Sequence, residues 1–154
     1  MRKCSLWALP YHIQFYPKMP FFLVFCHSQD GNWQWMPESH ICVKYVQTKY
    51  NLADAKANCE KMKSFLFEPK ENKTNTEVWK YNFGYWIGIT DQNHENNFRY
   101  LKNNRKIIWN NWADDQPNNL EFKEHCVVVG KVTGKWYDVP CDSEYNSICE
   151  LPLK

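Results

Sequence analysis

The stretch that decides the fold runs from Trp109 to Glu150 and reads WNNWADDQPNNLEFKEHCVVVGKVTGKWYDVPCDSEYNSICE. It is rich in side chains that offer oxygen ligands: Gln116 and Asn118 on either side of a proline, then Glu124 and Asp138. Calcium binds about six to eight oxygens from carboxylates, amides, backbone carbonyls and water, and sugar hydroxyls can fill positions that the protein leaves open. The pattern therefore indicates a calcium and sugar site. The alternative is an asparagine-rich polar loop closed by a disulfide.

The composition is that of one folded domain. The chain has 154 residues, of which 44% are hydrophobic and 17% aromatic, and these suffice for a substantial core. The net charge of +2 gives no reason to expect nucleic acid or an acidic membrane surface as a partner. No run of about 18 apolar residues occurs, so no transmembrane helix is predicted.

The seven cysteines indicate disulfides rather than a metal site. No Cys-x-x-Cys motif occurs and the five histidines are scattered, so a zinc site with the usual motif spacing is not expected. Disulfides form and persist in oxidising compartments. The chain is therefore predicted to be secreted or extracellular.

The N-terminal residues fit a folded core badly, because prolines interrupt their apolar runs at Pro10, Pro17 and Pro20. We interpret residues 1–28 as a signal or targeting segment, or as an atypical N-terminal segment. An ordered N-terminal strand is the alternative. Residues 29–40 are then predicted to be a short linker, and residues 41–152 the folded domain.

Apolar periodicity predicts both strands and helices in this domain. Residues 41–47 alternate apolar and polar side chains, as in a half-buried strand. Asn51 is a predicted N-cap for a helix over residues 52–62, which places Cys59 on an apolar face. Gly88 suggests the close approach of another backbone. The other predicted elements are strands at 65–67, 85–90, 125–130, 135–139 and 146–151 and a second helix at 76–82, with a long loop from 91 to about 123.

The tripeptide Asn72-Lys73-Thr74 is an N-glycosylation sequon. Such a sequon has a meaning only in a secreted chain, and it also arises by chance. The extracellular prediction therefore makes Asn72 a candidate glycosylation site.

An ordered series of motifs runs through the chain from Cys42 to Glu150. It consists of Cys59 in the first helix, Trp86-Ile87-Gly88, Trp112, Pro117-Asn118, Glu124 with Cys126, Trp136 with Asp138, Cys141, and Ile148-Cys149-Glu150. With this series the chain resembles a C-type lectin-like domain. The resemblance implies an α+β fold in which two helices flank small antiparallel sheets, with a long calcium- and sugar-binding loop and stabilising disulfides.

The resemblance also implies two disulfides, Cys59–Cys149 and Cys126–Cys141. Long-form members of the family add an N-terminal pair, for which Cys26 with Cys42 is the candidate. A signal peptide that ended after Cys26 would leave Cys42 unpaired. Cys4 has no assigned partner.

In sugar-binding members a calcium ion lies beside the proline of the long loop and coordinates two sugar hydroxyls. By position, the resemblance assigns the calcium ligands to Gln116, Asn118, Glu124 and Asp138, and sugar contacts to Gln116, Asn118, Glu124 and Tyr137. It also implies a cis bond before Pro117. Tyr137 stands where the family has an asparagine. One calcium ligand is thereby lost, because a neutral phenol binds calcium poorly.

The auxiliary calcium position of the family is partly present. Asp91 and Glu95 match it beside Glu124, while Asn119 and His125 stand where acids are usual. The sugar motif is mixed as well, since the family has Glu-Pro-Asn for mannose-type and Gln-Pro-Asp for galactose-type sugars. This chain has one half of each. Because amide and acid differ in donors and acceptors, no monosaccharide is assigned.

The predicted function is a secreted carbohydrate-binding protein that uses calcium to recognise glycans on cells, microbes or secreted glycoproteins. The alternative is a calcium-independent module that binds a protein partner through the same loop, which Gln116 and Tyr137 favour. No enzyme is expected. His125 and Cys126 are neighbours in a strand and point to opposite faces, and a disulfide-bonded Cys126 is no nucleophile.

Overall fold

The helices and strands follow one another in the predicted order. The protein is described by a computed structural model at Cys26 and at residues 32–78, 84–130 and 133–152. The predicted α+β class, with two helices and a disulfide-linked sheet, is confirmed. The elements are β1 (Gln34–Met36), β2 (Ile41–Tyr50), α1 (Leu52–Lys61), β3 (Phe65–Leu66), α2 (Asn72–Val78), β4 (Tyr85–Thr90), β5 (Arg99–Tyr100), a 3-10 helix (Leu120–Phe122), β6 (Glu124–Val129), β7 (Trp136–Pro140) and β8 (Tyr145–Leu151).

The strands form one connected sheet of eight, which differs in this detail from the expected small antiparallel sheets. The strand order is β1-β2-β8-β4-β6-β7, with β3 on β8 and β5 on β4. β4 and β8 run parallel, with Trp86 beside Ser147, and this pair joins the two antiparallel halves. The first and last long strands are neighbours, because Cys42 lies opposite Leu151.

Helix α1 forms where predicted because its first turn is capped and one face is apolar. The Asn51 side chain accepts a 2.9 Å hydrogen bond from the backbone N–H of Asp54, which satisfies one of the free amides of the first turn. The helix ends one residue before the predicted end, with Met62 as its C-cap. Its buried residues are Leu52, Ala55 and Cys59.

Helix α2 begins earlier than predicted. It spans Asn72–Val78, whereas the sequence predicts a helix over 76–82, whose last residues lie outside the described part of the chain. Asn75 explains the early start. It is 4% exposed, it accepts a 2.9 Å hydrogen bond from Trp136 Nε1, and it donates a 3.1 Å bond to the Gly134 carbonyl. Because the buried residue of this helix turn is an amide, apolar periodicity could not reveal where the helix begins.

The sequon residue Asn72 lies at the first position of α2, and its side chain is exposed. Its Oδ1 accepts a long, 3.4 Å hydrogen bond from Thr76 Oγ1. Glycosylation at this exposed asparagine stays a prediction.

The range 29–40, predicted to be a linker, contains strand β1. This strand pairs with the start of β2, and Met36 at its end is 2% exposed. Three residues are too few for periodicity to reveal a strand. Cys26 is disulfide-bonded to Cys42, so a signal segment over all of residues 1–28 would remove one partner of this bond. The rest of that predicted segment lies outside the described residues.

The disulfides tie separate parts of the fold together. One joins α1 to β8, one joins β6 to the residue after β7, and one holds Cys26 against the start of β2. They are Cys59–Cys149 and Cys126–Cys141, the two pairs that the resemblance implies, and Cys26–Cys42, the candidate third pair.

The core lies on both faces of the sheet, as the neighbours Trp86 and Ile87 in β4 illustrate. Both are 0% exposed, and they belong to different apolar clusters because successive strand residues point to opposite faces. The next residue, Gly88, lies against β3. A Cβ there would be 2.8 Å from the Leu66 carbonyl oxygen, so the predicted close approach of another backbone is confirmed.

A half-buried carboxyl group, that of Glu150, lies near the end of β8. Burial raises the pKa of Glu150 to about 7 from its ordinary 4.5, although the nearby Lys70 and Lys102 lower it. Burial also raises the pKa of Glu68. Because the folded-state pKa of Glu150 is raised, the folded domain holds this proton more tightly than the unfolded chain does between about pH 4.5 and 7.

Replacing Glu150 with Gln is expected to make the stability of the domain less dependent on pH. In the parent, the stabilisation linked to this proton is fully present below about pH 4.5 and is lost as pH rises through about 7. The loss is on the order of 3 kcal/mol. In urea unfolding, Glu150→Gln should therefore exceed the parent at alkaline pH and match it in acid. Glu144→Gln, at an exposed position, is the control, and the same pH dependence in both variants would contradict the prediction.

Candidate functional site

A tryptophan cluster holds the long loop that carries the predicted site. The rings of Trp109 and Trp112 pack edge-to-face on Trp136, with centroid distances of 5.2 and 5.7 Å. The backbone is tied at the same place. Trp136 N–H donates to the Asn111 carbonyl at 2.9 Å, and Ala113 N–H donates to the Trp136 carbonyl at 3.0 Å. The loop is therefore fixed to β7 just before its tip.

Asp138 organises the tip of this loop, which we define as residues 116–124. Its side chain is almost fully buried. Asp138 Oδ1 and Oδ2 accept hydrogen bonds from the backbone N–H groups of Asn118 at 3.1 Å and Asn119 at 2.7 Å. The backbone N–H of Asp138 donates in return to Gln116 Oε1 at 3.3 Å. The bond between Gln116 and Pro117 is cis, as the resemblance implies.

Glu124 closes the other side of the loop tip. Its Oε2 accepts a 2.9 Å hydrogen bond from Leu120 N–H, which also lies 3.1 Å from Asn118 Oδ1. Glu124 N–H donates to Asn119 Oδ1 at 3.0 Å. Asn119 thus has a structural role, linking Asp138 and Glu124, that the sequence analysis did not assign to it. Left-handed φ angles, uncommon outside glycine, bend the tip at Asn119, Glu121 and Phe122 (42°, 55° and 59°).

The predicted calcium and sugar residues all line one pocket of about 510 Å³. These are Gln116, Asn118, Glu124, Tyr137 and Asp138. The structure thus brings the two halves of the predicted site together, across 22 positions of chain between Gln116 and Asp138. The sequence did not single out the remainder of the wall, which includes Lys49, Leu120, Glu144, Tyr145 and Asn146.

Side chains of the loop tip and Asp138 offer oxygens that could hold a calcium ion. The side chains of Gln116, Asn118, Glu124 and Asp138 each accept backbone N–H groups, and carbonyl and carboxylate oxygens keep further lone pairs for an ion. Two carboxylates balance the double charge, and sites with few charged ligands bind weakly. Tyr137 packs its ring toward Gly130, where a Cβ would come within 2.5 Å of Tyr137 Cε2.

The auxiliary position has a different composition from the one that the resemblance implies. Asp91 and Glu95 come together with His125, one ligand atom of each lying within 4.8 Å of the others. Glu124, the third predicted member, instead bonds to the loop tip. Burial raises the pKa of Asp91, against the opposing effect of hydrogen bonds from Asn96 N–H and His125. His125 is the member of this group that the sequence did not assign as a ligand.

Cys126 takes no part in a catalytic pair. It is bonded to Cys141 and is 0% exposed, and a disulfide sulfur offers no thiolate. Among the described residues, none of the helices reaches the length and apolar character that a membrane crossing requires.

Comparisons with known proteins agree with this fold. The family model for the lectin C-type domain matches residues 48–151. The hepatic lectin of Gallus gallus is 30% identical over 131 residues, which are 83% of this chain and 62% of that protein. The chain thus spans less than two thirds of that relative's length.

Solved structures show the same similarity. The carbohydrate-recognition domain of the mouse scavenger receptor C-type lectin has a TM-score of 0.72 at 26% identity, covering 79% of this chain and 96% of that one. A calcium-independent type II antifreeze protein has a TM-score of 0.69, covering 77% and 89%. At 18% identity it shows the fold alone.

The fold and the disulfide pattern define a C-type lectin-like domain. The chain belongs to the lectin C-type domain family, on the match over residues 48–151.

Proposed function

We propose that this domain binds carbohydrate, assisted by calcium, at the pocket beside the loop tip. The observation that carries the proposal is the convergence of Gln116, Asn118, Glu124, Tyr137 and Asp138 on that pocket of about 510 Å³. Pockets of this size hold small ligands with a few well-placed polar groups. The glycans would be those of cells, microbes or secreted glycoproteins, met outside the cell, where disulfides persist.

The side chains of the loop tip divide the recognition of a sugar between them. The amides of Gln116 and Asn118 can donate to and accept from sugar hydroxyls, and the carboxylate of Glu124 can accept. A bound calcium ion would add direct coordination of two hydroxyls. Tyr137 lines the same pocket and offers an aromatic face for the apolar side of a sugar ring.

Calcium affinity should be low, because two carboxylates are the charged ligands of this site. Extracellular calcium modules bind at about 10⁻⁴–10⁻³ M, and we place the loop tip in that range. Calorimetric titration of the oxidised chain with calcium, reversed by a chelator, measures it directly. Absence of heat and of a thermal shift at several millimolar calcium would remove calcium from the proposal.

Asn118→Ala is expected to weaken retention on immobilised glycans at least tenfold while leaving the fold intact. The side chain is lost from the pocket, whereas Leu120 N–H keeps its second acceptor, Glu124 Oε2, at 2.9 Å. Glu124→Ala should weaken retention similarly. Retention is measured on a glycan array in calcium, and folding by thermal unfolding.

Asn110→Ala, at an exposed position of the same loop, is the matched control and should bind as the parent does. If Asn118→Ala unfolds the domain, Asn118 is a structural residue and the site assignment fails. If it folds and binds normally, the sugar contact lies elsewhere.

A second candidate function is binding of a protein partner without calcium. The exposed apolar residues of the loop tip favour it: Leu120 is 64% exposed and Phe122 is 88% exposed. Apolar side chains held in solvent beside a pocket are typical of interaction surfaces. This function would give retention that a chelator does not reverse and that Phe122→Ser lowers, whereas calcium-assisted glycan binding would be lost with the chelator.

A further inference from the structure

Asp91, Glu95 and His125 form a compact group of potential metal ligands. Asp91 follows β4, Glu95 lies on the turn after it, and His125 lies in β6 next to Glu124. His125 Nδ1 is 3.2 Å from Asp91 Oδ1 and 3.5 Å from Glu95 Oε2. The three ligand atoms therefore surround a common point.

The imidazole distinguishes this group from a calcium site. Calcium is held by oxygen atoms, and a ring nitrogen in contact with both carboxylates occupies the place of an oxygen ligand. Zinc and the neighbouring divalent transition metals accept imidazole nitrogen together with carboxylate oxygen. The donor atoms thus disagree with the auxiliary calcium ion that the family resemblance implies.

We propose that Asp91, Glu95 and His125 bind a zinc ion, or a divalent transition-metal ion of the same class, instead of an auxiliary calcium ion. The proposal is independent of the glycan site, because none of its three ligands belongs to the loop tip.

The distances between the ligand atoms agree with a tetrahedral site. With zinc–ligand distances of about 2.0–2.2 Å, neighbouring ligand atoms are about 3.4 Å apart. The separations from His125 Nδ1 are 3.2 Å to Asp91 and 3.5 Å to Glu95, and the ligand atoms of Asp91 and Glu95 lie within 4.8 Å of each other. An ion could therefore bind with little movement of the side chains.

The backbone around Asp91 orients the group in advance. Asp91 Oδ2 accepts a 2.7 Å hydrogen bond from Asn96 N–H, which leaves Oδ1 directed to His125. Asp91 N–H in turn donates to the His125 carbonyl at 3.1 Å, so the turn and β6 are held in fixed relation. Outer hydrogen bonds of this kind orient metal ligands.

The exposure of the group lets an ion enter from one side. The side chain of Asp91 is 1% exposed, whereas those of His125 and Glu95 are 31% and 45% exposed. The carboxylate of Asp91 forms the floor, and water can complete the coordination on the open side.

A cavity adjoins the group at Asp91, although Glu95 and His125 do not line it. Asn97 Oδ1 is buried without a hydrogen-bond partner, and Asn97 and Asp91 line one cavity of about 220 Å³. Buried polar atoms are seldom left without a partner.

The test is a calorimetric titration of the oxidised, chelator-treated chain with zinc chloride, and in parallel with calcium chloride, followed by thermal unfolding. We expect one zinc ion per chain, a raised unfolding temperature, and binding at least tenfold tighter for zinc than for calcium at this site. Cobalt(II) should give the visible absorption of a tetrahedral nitrogen and oxygen site.

Two variants of His125 and one of His94 distinguish zinc binding at this three-residue group from nonspecific zinc binding by exposed histidines. His125→Asn should weaken zinc binding at least tenfold, and His125→Glu, which restores an acid, should shift the preference toward calcium. His94→Asn is the control, since His94 is exposed on the same turn, and it should bind zinc as the parent does. Asn118→Ala should also leave zinc binding unchanged.

Three results would overturn the proposal. They are no zinc binding at millimolar concentration, equal loss in His94→Asn and His125→Asn, or a parent that binds calcium more tightly at this group. In the first two cases the contacts of His125 with Asp91 and Glu95 hold no metal ion, and in the third the group is a calcium site. Failure of glycan binding alone would not change the zinc result, so the two proposals can fail separately.

Discussion

Removing the disulfide between Cys59 and Cys149 is expected to lower the free energy of unfolding by about 4–5 kcal/mol. The bond spans 90 residues, and closing so long a loop removes much of the conformational entropy of the unfolded chain. Both sulfurs are fully buried, so truncation to alanine also leaves a cavity. The measurement is guanidinium unfolding of the double variant Cys59→Ala/Cys149→Ala against the parent.

The matched control is Cys26→Ala/Cys42→Ala, which opens a loop of 16 residues. Because this loop is shorter, removing its disulfide should lower the free energy of unfolding by about 3 kcal/mol. Equal losses in the two double variants would show that loop length is not what sets the effect here. A Cys59/Cys149 variant as stable as the parent would contradict the prediction altogether.

Trp136→Ala is expected to cost about 3–5 kcal/mol of stability and to abolish glycan retention as well. The side chain is 0% exposed, and the rings of Trp109 and Trp112 pack on it. Without it the loop loses its packing surface just before the loop tip, and the pocket loses its shape. Stability is measured by denaturant unfolding, and the state of the loop by limited proteolysis.

Two variants test the cause of this effect. Trp136→Phe keeps much of the ring packing and loses the 2.9 Å bond from Nε1 to Asn75 Oδ1, so it should cost about 1–3 kcal/mol and retain glycan binding. Trp35→Ala changes a tryptophan of β1, away from the loop, and should leave retention unchanged. A Trp136→Ala protein that binds glycan normally would mean that the loop tip does not depend on the tryptophan cluster.

Periodicity revealed the elements that are long and have one buried face. Strand β2 and helix α1 are examples, since each has a run of alternating or helically spaced apolar side chains and α1 has a recognisable cap at Asn51. Strands β1 and β5 have three and two residues, too few for any period. The start of α2 depends on the buried amide of Asn75, a contact with β7 that is 61 residues away in the chain.

The site could be predicted in part from an ordered set of motifs. These motifs led to Gln116, Asn118, Glu124, Tyr137 and Asp138, all of which line one pocket. The hydrogen bonds that set their directions could not be predicted, because they depend on backbone amides of the loop tip. The association of His125 with Asp91 is likewise a matter of sheet pairing, between residues 34 apart.

The adjacency of β2 and β8 determines how the domain would respond to mechanical tension. Cys42 and Leu151 lie opposite one another, so pulling on them separates an antiparallel pair from its end, one hydrogen bond after another. The separation of the strands soon reaches Cys149. The disulfide from Cys149 to Cys59 then transmits the force directly between these two residues. Residues 60–148 therefore lie off the load path. The loop tip lies within this bypassed segment, so the disulfide would shield it from tension, whereas Lys49 of the pocket wall lies in the stretched strand β2.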